Sequence, residues 1–170
     1  MKSVKIILGI ISVFIVVFFS TGLIIKETNY ITQVSVNKPI IDVFAAFNNL
    51  ENKIKWIPEI QSYKVVNENT GITGSEYQMI IKNKDHNVTI SERIMAFVPN
   101  EKVTVFYIAD NILKTNDYLF TEKNGVTNII LNATCSSDSY ILACIFPYFK
   151  NTFQEQDLLY LTNFKAFIEQ

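Results

Sequence analysis

Histidine and cysteine, the side chains that most often bind transition metals, are scarce in this sequence. Its 170 residues include one histidine, His86, and two cysteines, Cys135 and Cys144. A structural zinc site needs about four such ligands, usually in closely spaced pairs, and no such pair occurs. His86 stands beside Asp85 in a stretch typical of a loop, which predicts a solvated side chain rather than a catalytic base. We therefore expect neither a metal nor another cofactor.

An excess of positive charge is also missing. The chain has 15 lysine and arginine residues against 16 aspartate and glutamate residues. Binding to nucleic acid normally requires a basic patch, so nucleic acid is not an expected partner. Glycine and proline are few, with five and four residues, whereas 49% of the residues are hydrophobic and 13% are aromatic. This composition does not fit a disordered chain and predicts one domain with a sizeable core.

Residues 6–25 contain no charged side chain. Twenty helical residues span about 30 Å, the thickness of the hydrocarbon core of a bilayer, so we expect residues 1–27 to form an N-terminal transmembrane anchor. The alternative is a cleaved signal peptide, although its apolar region should measure only about 7 to 15 residues. Lys2 and Lys5 favour a cytoplasmic N-terminus and an extracytoplasmic domain, whereas Lys26 and Lys38 weaken that bias.

Beyond the anchor, apolar residues alternate in seven segments, as in strands with one buried face. The first covers residues 28–38. Helical spacing then predicts two short helices, one from Pro39 to Asn48 and one over residues 50–56. Strands follow over residues 60–67, 76–82 and 88–98, with a hairpin loop at residues 83–87. Alternating apolar residues predict three more strands. The first contains Val103, Val105 and Tyr107, the second Tyr118 and Phe120, and the third Ile129, Leu131, Ala133 and Cys135. Six consecutive strands predict an antiparallel meander.

The last segment, residues 139–170, predicts an amphipathic helix whose regular part begins at Pro147. Its apolar face contains Leu142, Phe146, Phe149, Phe153, Tyr160, Phe164, Phe167 and Ile168. Burial of six such side chains is worth at most about 9 to 18 kcal/mol, so this face must be covered. The fold class we predict is α+β: a strongly curved seven-stranded antiparallel sheet with two short helices after its first strand and the long C-terminal helix across its concave face.

Several short motifs resemble those of the START-like superfamily, also called SRPBCC or helix-grip proteins. The segment at residues 34–44, Val-Ser-Val-Asn-Lys-Pro-Ile-Ile-Asp-Val-Phe, is similar to the opening motif of that family, and Trp56 matches a tryptophan that often ends its helical insertion. Residues 98–103 resemble the turn before the fifth strand, and residues 161–169 resemble the closing helix. The resemblance covers residues 28–170. It implies the helix-grip fold, in a branch described as polyketide cyclase or dehydrase-like, here behind a membrane anchor.

A gap between a curved sheet and a helix is typically too deep for aliphatic side chains to fill, so we expect an apolar cavity there. Ordinary core packing is the alternative for each residue assigned to its wall, because aromatic side chains fill cores first. Five of the eight assigned residues carry a polar group, which favours a cavity. The predicted ligand-binding residues are Trp56, Tyr77, Met79, Tyr107, Tyr118, Phe120, Phe153 and Tyr160.

Two carboxylates interrupt these apolar faces. Asp157 shares the angle of Phe146 and Phe164 on the terminal helix, and Glu92 is in register with Ile90 and Ile94. A buried pair of carboxylates would have at least one raised pKa and so supply an acid or base near neutral pH. The alternatives are a polar cavity floor, or placement at the surface or in a hydrogen bond. Both residues are therefore weak catalytic candidates.

Cys135 and Cys144 flank the passage from the last strand into the terminal segment. Outside the cytoplasm they can form a disulfide that closes a short loop, and the alternative is two buried thiols. A nucleophilic role is not expected, because no histidine or basic residue is placed to lower a thiol pKa.

We interpret the chain as a membrane-tethered domain that binds a hydrophobic or lipid-like small molecule between sheet and helix. The alternative is a cyclase, dehydratase or isomerase-like enzyme, with Glu92 or Asp157 as proton carrier and a tyrosine hydroxyl that holds an oxyanion. A third hypothesis is a domain with a vestigial cavity that binds another protein. No motif secures a catalytic activity.

Overall fold

The computed structural model describes residues 2–83 and 86–170 of the chain. An apolar helix, α1 (Lys2–Ile24), precedes a domain of strands and helices. The strands are β1 (Thr28–Val36), β2 (Ile60–Asn67), β3 (Glu76–Asn83), β4 (His86–Val98), β5 (Lys102–Ala109), β6 (Ile112–Lys123) and β7 (Val126–Ser137). The helices of the domain are α2 (Ile40–Asn48), α3 (Leu50–Trp56), α4 (Tyr140–Ile145) and α5 (Lys150–Ile168), with a 3₁₀ turn (Phe146–Phe149) between the last two.

The strands form one antiparallel sheet in the order β1-β7-β6-β5-β4-β3-β2, which confirms the predicted fold class. Strands β2 to β7 follow one another as a meander, and β1 pairs with β7, with Thr28 opposite Cys135. Between β6 and β7, Asn124 and Gly125 have φ angles of 55° and 74°. Positive φ at both central residues is what a two-residue type I′ hairpin requires, so this dipeptide sets the register of β6 and β7.

Strands β3 and β4 extend farther than predicted. Asn83 ends β3 and pairs with His86, the first residue of β4, so the strands extend into the loop expected at residues 83–87. Residues 84 and 85 lie outside the described part of the chain. The side chain of His86 is exposed, as a solvated histidine should be.

The two short helices after β1 contribute aromatic side chains to the core. Pro39 precedes α2 with a φ of −61°, the value to which its ring confines it. The Asn49 side chain caps α3 by accepting hydrogen bonds from two backbone N–H groups of its first turn. The Phe47 ring lies 5.3 Å from the Trp56 ring and 5.1 Å from the Phe164 ring. The insertion therefore packs against α5 as well as against the sheet.

The terminal segment is helical from Tyr140 onward but is not one helix. Pro147 lies in the 3₁₀ turn, and the regular helix begins at Lys150, so the predicted start was wrong by three residues. A 3₁₀ turn has three residues per turn instead of 3.6, which changes the angle at which side chains leave the axis. Phe149, predicted on the buried face, is 50% exposed for this reason. Farther along, Phe164 is fully buried as predicted.

Helix α5 crosses the concave face of the sheet and also protects its edge. β1 is an edge strand, with free backbone groups on one side. The Gln154 side chain donates a hydrogen bond to the Ile31 carbonyl at 2.9 Å, and the Lys165 ammonium donates one to the Ser35 carbonyl at 2.6 Å. These contacts fix α5 along β1 and leave its apolar face over the sheet.

Helix α1 projects from the domain with most of its apolar side chains exposed. Among the residues that the structure describes, one helix is long and apolar enough to cross a membrane, and it covers Ser3–Ile24. A signal sequence satisfies the same criteria. The C-terminal end of α1 contacts the domain at α4 and the 3₁₀ turn.

Candidate functional site

A cavity of about 240 Å³, the main cavity, lies between the sheet and α5. Helix α3, strands β2 to β6 and α5 all contribute side chains to its wall, most of them apolar. A side cavity of about 120 Å³ adjoins it toward α2. The two cavities share the wall residues Lys53, Trp56, Glu92, Tyr107 and Tyr118.

The structure brings most of the predicted ligand-binding residues to these two cavities. Six of them line the main cavity: Trp56, Met79, Tyr107, Tyr118, Phe153 and Tyr160. Tyr77 lines the side cavity. Phe120 lines neither, because it lies farther along β6 and packs in the core with its ring 5.0 Å from Phe44 and 5.3 Å from Phe47.

Glu92 occupies the wall where the two cavities meet. Strand alternation turns it inward, and it lies opposite Tyr77 on β3 and Tyr107 on β5. Its side chain is inaccessible to solvent, and Oε1 lies 2.5 Å from the Nζ of Lys53. Lys53 also donates a hydrogen bond to the Tyr63 hydroxyl at 3.3 Å. A buried carboxylate requires such a partner, because burial of an unpaired charge is very costly.

Asp157 lies on the opposite wall of the main cavity. It is 3% exposed. Its Oδ1 accepts a hydrogen bond from Lys114 on β6 at 2.6 Å, and its Oδ2 accepts one from the Tyr30 hydroxyl on β1 at 2.7 Å. This carboxylate therefore joins α5 to two strands of the sheet.

Each of the two predicted carboxylates thus has its own lysine, a partner that the sequence analysis missed. Both lysines follow the periodicity of inward-facing neighbours: Lys53 lies one helical turn before Trp56, and Lys114 lies two residues before the buried Asn116 on β6. This spacing could have identified both lysines as inward-facing residues. The four charged groups balance, so this part of the cavity wall has no net formal charge.

Three buried polar atoms of the main cavity wall have no hydrogen-bond partner within the described chain: Trp56 Nε1, Glu92 Oε2 and Asn116 Oδ1. The amide nitrogen of Asn116 donates to the Tyr118 hydroxyl at 2.8 Å, which leaves the oxygen free. Buried polar atoms are nearly always paired, so each unpaired one requires an explanation. The wall therefore contains one unpaired donor and two unpaired acceptors, each buried beneath the cavity surface.

The tyrosines of the wall are neutral hydrogen-bonding groups at physiological pH. Burial raises the pKa of the Tyr107 hydroxyl well above its usual value, and the nearby Glu92 carboxylate raises it further. Burial likewise raises the pKa of Tyr118 and of Tyr160. The site therefore offers phenol hydroxyls rather than phenolates.

Both cysteines are buried and free. Burial raises the pKa of the Cys135 thiol, whose sulfur lies 3.8 Å from the Tyr30 hydroxyl. Cys144 lies in α4 beside the end of α1, where its sulfur is 3.9 Å from the Phe19 carbonyl. Of the two alternatives left open by the sequence, the structure contains the thiols.

No protein-family model and no curated protein matches the sequence. Solved structures do match. The structure of Ara h 8.0201 has a TM-score of 0.66 at 13% identity, with 84% of this chain and 97% of that chain covered. TTHA0849 from Thermus thermophilus has a TM-score of 0.66 at 14% identity, with 82% and 96% covered.

A third similar structure is the ZhuI aromatase/cyclase from Streptomyces sp. R1128, with a TM-score of 0.62 at 9% identity, covering 81% of this chain and 93% of that chain. At such identities the likeness concerns the fold. Together with the strand order and the position of α5, it confirms the expected architecture: this chain has the helix-grip fold.

Proposed function

We propose that this protein binds an uncharged, largely apolar small molecule in the main cavity and is tethered to a membrane by α1. The observation that carries the binding proposal is the set of three unpaired polar atoms, Trp56 Nε1, Glu92 Oε2 and Asn116 Oδ1, around one apolar cavity. A hydroxyl or amide group on the ligand can bond to these atoms after their side chains rotate toward the cavity, since each is buried beneath its surface, while the remainder contacts apolar side chains.

The charges and dimensions of the wall narrow the class of ligand. Because Lys53 neutralises Glu92 and Lys114 neutralises Asp157, a charged ligand would have no unpaired opposite charge among these four groups. The volume of about 240 Å³ lies just below the usual range for ligand pockets of about 300 to 1,000 Å³. A compact molecule, such as a small ring system or a single-chain lipid, fits this space better than a two-chain phospholipid.

The tether proposal rests on the apolar run of residues 6–25 and on the exposure of α1 outside the domain. In this arrangement residues 1–27 are the anchor and residues 28–170 the ligand-binding domain. Lys2 and Lys5 favour a cytoplasmic N-terminus, which places the domain on the extracytoplasmic side. The tether holds the cavity near the bilayer and so raises the effective concentration of any lipid-derived ligand.

Native mass spectrometry of the full-length protein in nanodiscs tests the binding proposal. We expect a small molecule to remain bound after gentle purification. Ala109→Phe places a bulky group in the cavity wall and should remove it, whereas Ala166→Phe adds the same group on the exposed side of α5 and should not. A wild-type protein that is repeatedly empty, or equal occupancy in both variants, contradicts the proposal.

One contact favours a second candidate function, an enzyme of the cyclase or dehydratase type. The buried Asp157 receives a hydrogen bond from Tyr30, an arrangement of carboxylate and hydroxyl that can move a proton. Proton transfer would require Asp157 to leave its contact with Lys114. An enzyme predicts that Asp157→Asn retains the bound molecule but abolishes its conversion, whereas a binding protein shows no conversion in either form.

A further inference from the structure

The surface of α4 and of the 3₁₀ turn exposes an unusual number of large apolar side chains. Tyr140, Ile141, Tyr148 and Phe149 are 42%, 59%, 60% and 50% exposed, although they lie within ten residues of one another. We call these four residues the α4 ridge. Contiguous apolar patches of this kind normally mark a surface that is covered by a partner or by lipid.

The α4 ridge is continuous with the C-terminal end of α1. The ring of Phe19 stacks on Tyr140 with centroids 6.1 Å apart, and the ring of Phe18 stacks on Tyr148 at 6.4 Å. The Tyr140 hydroxyl also donates a hydrogen bond to the Phe19 carbonyl at 2.5 Å. These contacts fix the position of the α4 ridge along the axis of α1.

Small residues make this contact close. Gly22 is buried against α4, and a Cβ atom at that position would lie 2.5 Å from the Cys144 sulfur. Thr21 Oγ1 lies 3.0 Å from the Tyr148 hydroxyl. Close approach through a glycine and hydrogen bonds between helices are typical of helices that pack within or beside a membrane.

The position of these contacts along α1 indicates how far the α4 ridge lies from the end of the apolar run. Phe18, Phe19 and Gly22 lie three to seven residues before Ile25, the last residue of the apolar run. At 1.5 Å per residue, this is about 5 to 10 Å inside the end of the run. Interfacial segments typically insert about 5 to 10 Å into the boundary between headgroups and acyl chains.

The composition of the segment fits the same depth. Tyrosine is enriched where membrane and water meet, because its ring is apolar and its hydroxyl is polar. Lys26 after α1 and Lys150 after the 3₁₀ turn are both exposed, where lysine can reach phosphate groups. Phe14, Val17, Phe18, Ile145, Tyr148 and Phe149 line an open apolar groove between α1 and the turn, a shape that suits an acyl chain.

We propose that the α4 ridge inserts into the surface of the bilayer beside α1, as a second membrane contact of the domain. This inference rests on the membrane tether proposed above and is independent of the cavity ligand. Two contacts, one spanning and one interfacial, fix the orientation of the domain relative to the membrane. A tether alone would leave the domain free to tumble.

Tryptophan fluorescence in vesicles tests the proposal with the full-length protein. Phe149→Trp places an indole on the ridge, and Leu159→Trp places one on the side of α5 that is exposed in the domain, where Leu159 is 49% exposed. The native Trp56 contributes equally to both variants. We expect lipids brominated near the headgroup end of their acyl chains to quench the added emission of Phe149→Trp and to leave that of Leu159→Trp unchanged.

Three outcomes would overturn the proposal. If the protein resists carbonate extraction but bromolipids quench the added emission of neither variant, while iodide in solution quenches both, the tether stands and the ridge does not insert. If the Phe149→Trp indole is shielded from bromolipids and also from iodide in solution, a second protein copy or another protein covers the ridge instead of lipid. If the protein is extracted by carbonate, the tether fails and the interfacial contact fails with it.

Discussion

Lys53 Nζ and Glu92 Oε1 lie 2.5 Å apart with their side chains 9% and 0% exposed, so an ion pair closes the gap between α3 and β4 at the centre of the site. Such a pair gains little over an apolar pair of similar volume, because both ions lose their hydration. It lies beside two cavities, and Oε2 of Glu92 has no hydrogen-bond partner within the described residues.

Removal of one partner of that pair is expected to be severe. Lys53→Met leaves an unpaired buried carboxylate and should lower the free energy of unfolding by about 3 to 5 kcal/mol. The double variant Lys53→Met, Glu92→Leu removes both charges and should recover most of that loss. Urea unfolding in nanodiscs, followed by circular dichroism, measures both values. A single variant that costs less than about 1 kcal/mol would show that the pair is hydrated.

The hydroxyl of Tyr30 is expected to stabilise the fold through Asp157. Tyr30→Phe removes a hydrogen bond to a charged group and should lower the free energy of unfolding by about 1.5 to 3 kcal/mol. Tyr148→Phe is a matched control, because Tyr148 is 60% exposed where its hydroxyl contacts Thr21, and loss of that contact should cost well under 1 kcal/mol. Equal effects in the two variants would contradict a special role for the contact with Asp157.

The contact between α1 and α4 is expected to depend on Gly22. Gly22→Ala forces a methyl group against the Cys144 sulfur, and hydrogen exchange of the α4 amides should accelerate. Cys144→Ala in the same chain removes the shortest contact and should slow the exchange in part, because the Cys144 backbone nitrogen and the Tyr140 ring still lie 3.2 and 3.3 Å from the added Cβ. Gly9→Ala is the control, since no atom lies within 4 Å of its added Cβ. Slow exchange in Gly22→Ala would mean that the two helices separate without consequence for α4.

The stability of the domain should fall steeply at alkaline pH. Burial raises the pKa of Tyr30, Tyr63, Tyr107 and Tyr118 above the ordinary value of 10.0. Above pH 10 the unfolded chain releases these protons while the folded chain keeps them. The contribution of these tyrosines to the free energy of unfolding is therefore fully present below pH 10. It declines above pH 10, with a slope of about 1.4 kcal/mol per pH unit for each such tyrosine.

Urea titrations between pH 9 and 11.5 measure that slope, and the phenolate absorbance shows whether ionisation accompanies unfolding. Tyr107→Phe removes one of the buried groups and should reduce the slope by about 1.4 kcal/mol per pH unit. If the phenolate absorbance that appears in the folded protein near pH 10 is smaller in Tyr107→Phe than in the wild type, Tyr107 ionises without unfolding and is accessible to water.

The seven strands, the meander of six of them and the inward direction of Glu92 and Asp157 were accessible to sequence reasoning, because they follow from periodicity over consecutive residues. The pairing of β1 with β7 does not follow from periodicity, since these strands are far apart in the chain. The exposure of Phe149 was not accessible, since the 3₁₀ turn interrupts the helical spacing there, although Leu142 and Phe146 before it and Phe164 after it pack in the core as predicted. The lysine partners were missed because charged residues are usually assigned to solvent, although Lys53 and Lys114 obey the spacing of buried neighbours.

The contact of α1 with α4 had no local signal. Tyr140 and Phe19 are 121 residues apart, and neither segment has a pattern that specifies the other. In the sequence, Gly22 is an ordinary small residue of an apolar helix. The need for a glycine there follows only from the Cys144 sulfur that packs against it in the structure. Such long-range complementarity of shape is set by the packed fold and is absent from any single stretch of sequence.

Trp56 is the single tryptophan of the chain, and the structure places its ring in the wall of both cavities with an unbonded Nε1. An arriving molecule must change the polarity around that indole, so the emission wavelength of the unmodified protein reports occupancy directly. Candidate ligands of any chemical class can accordingly be screened by titration, with neither a label nor a tag on the protein.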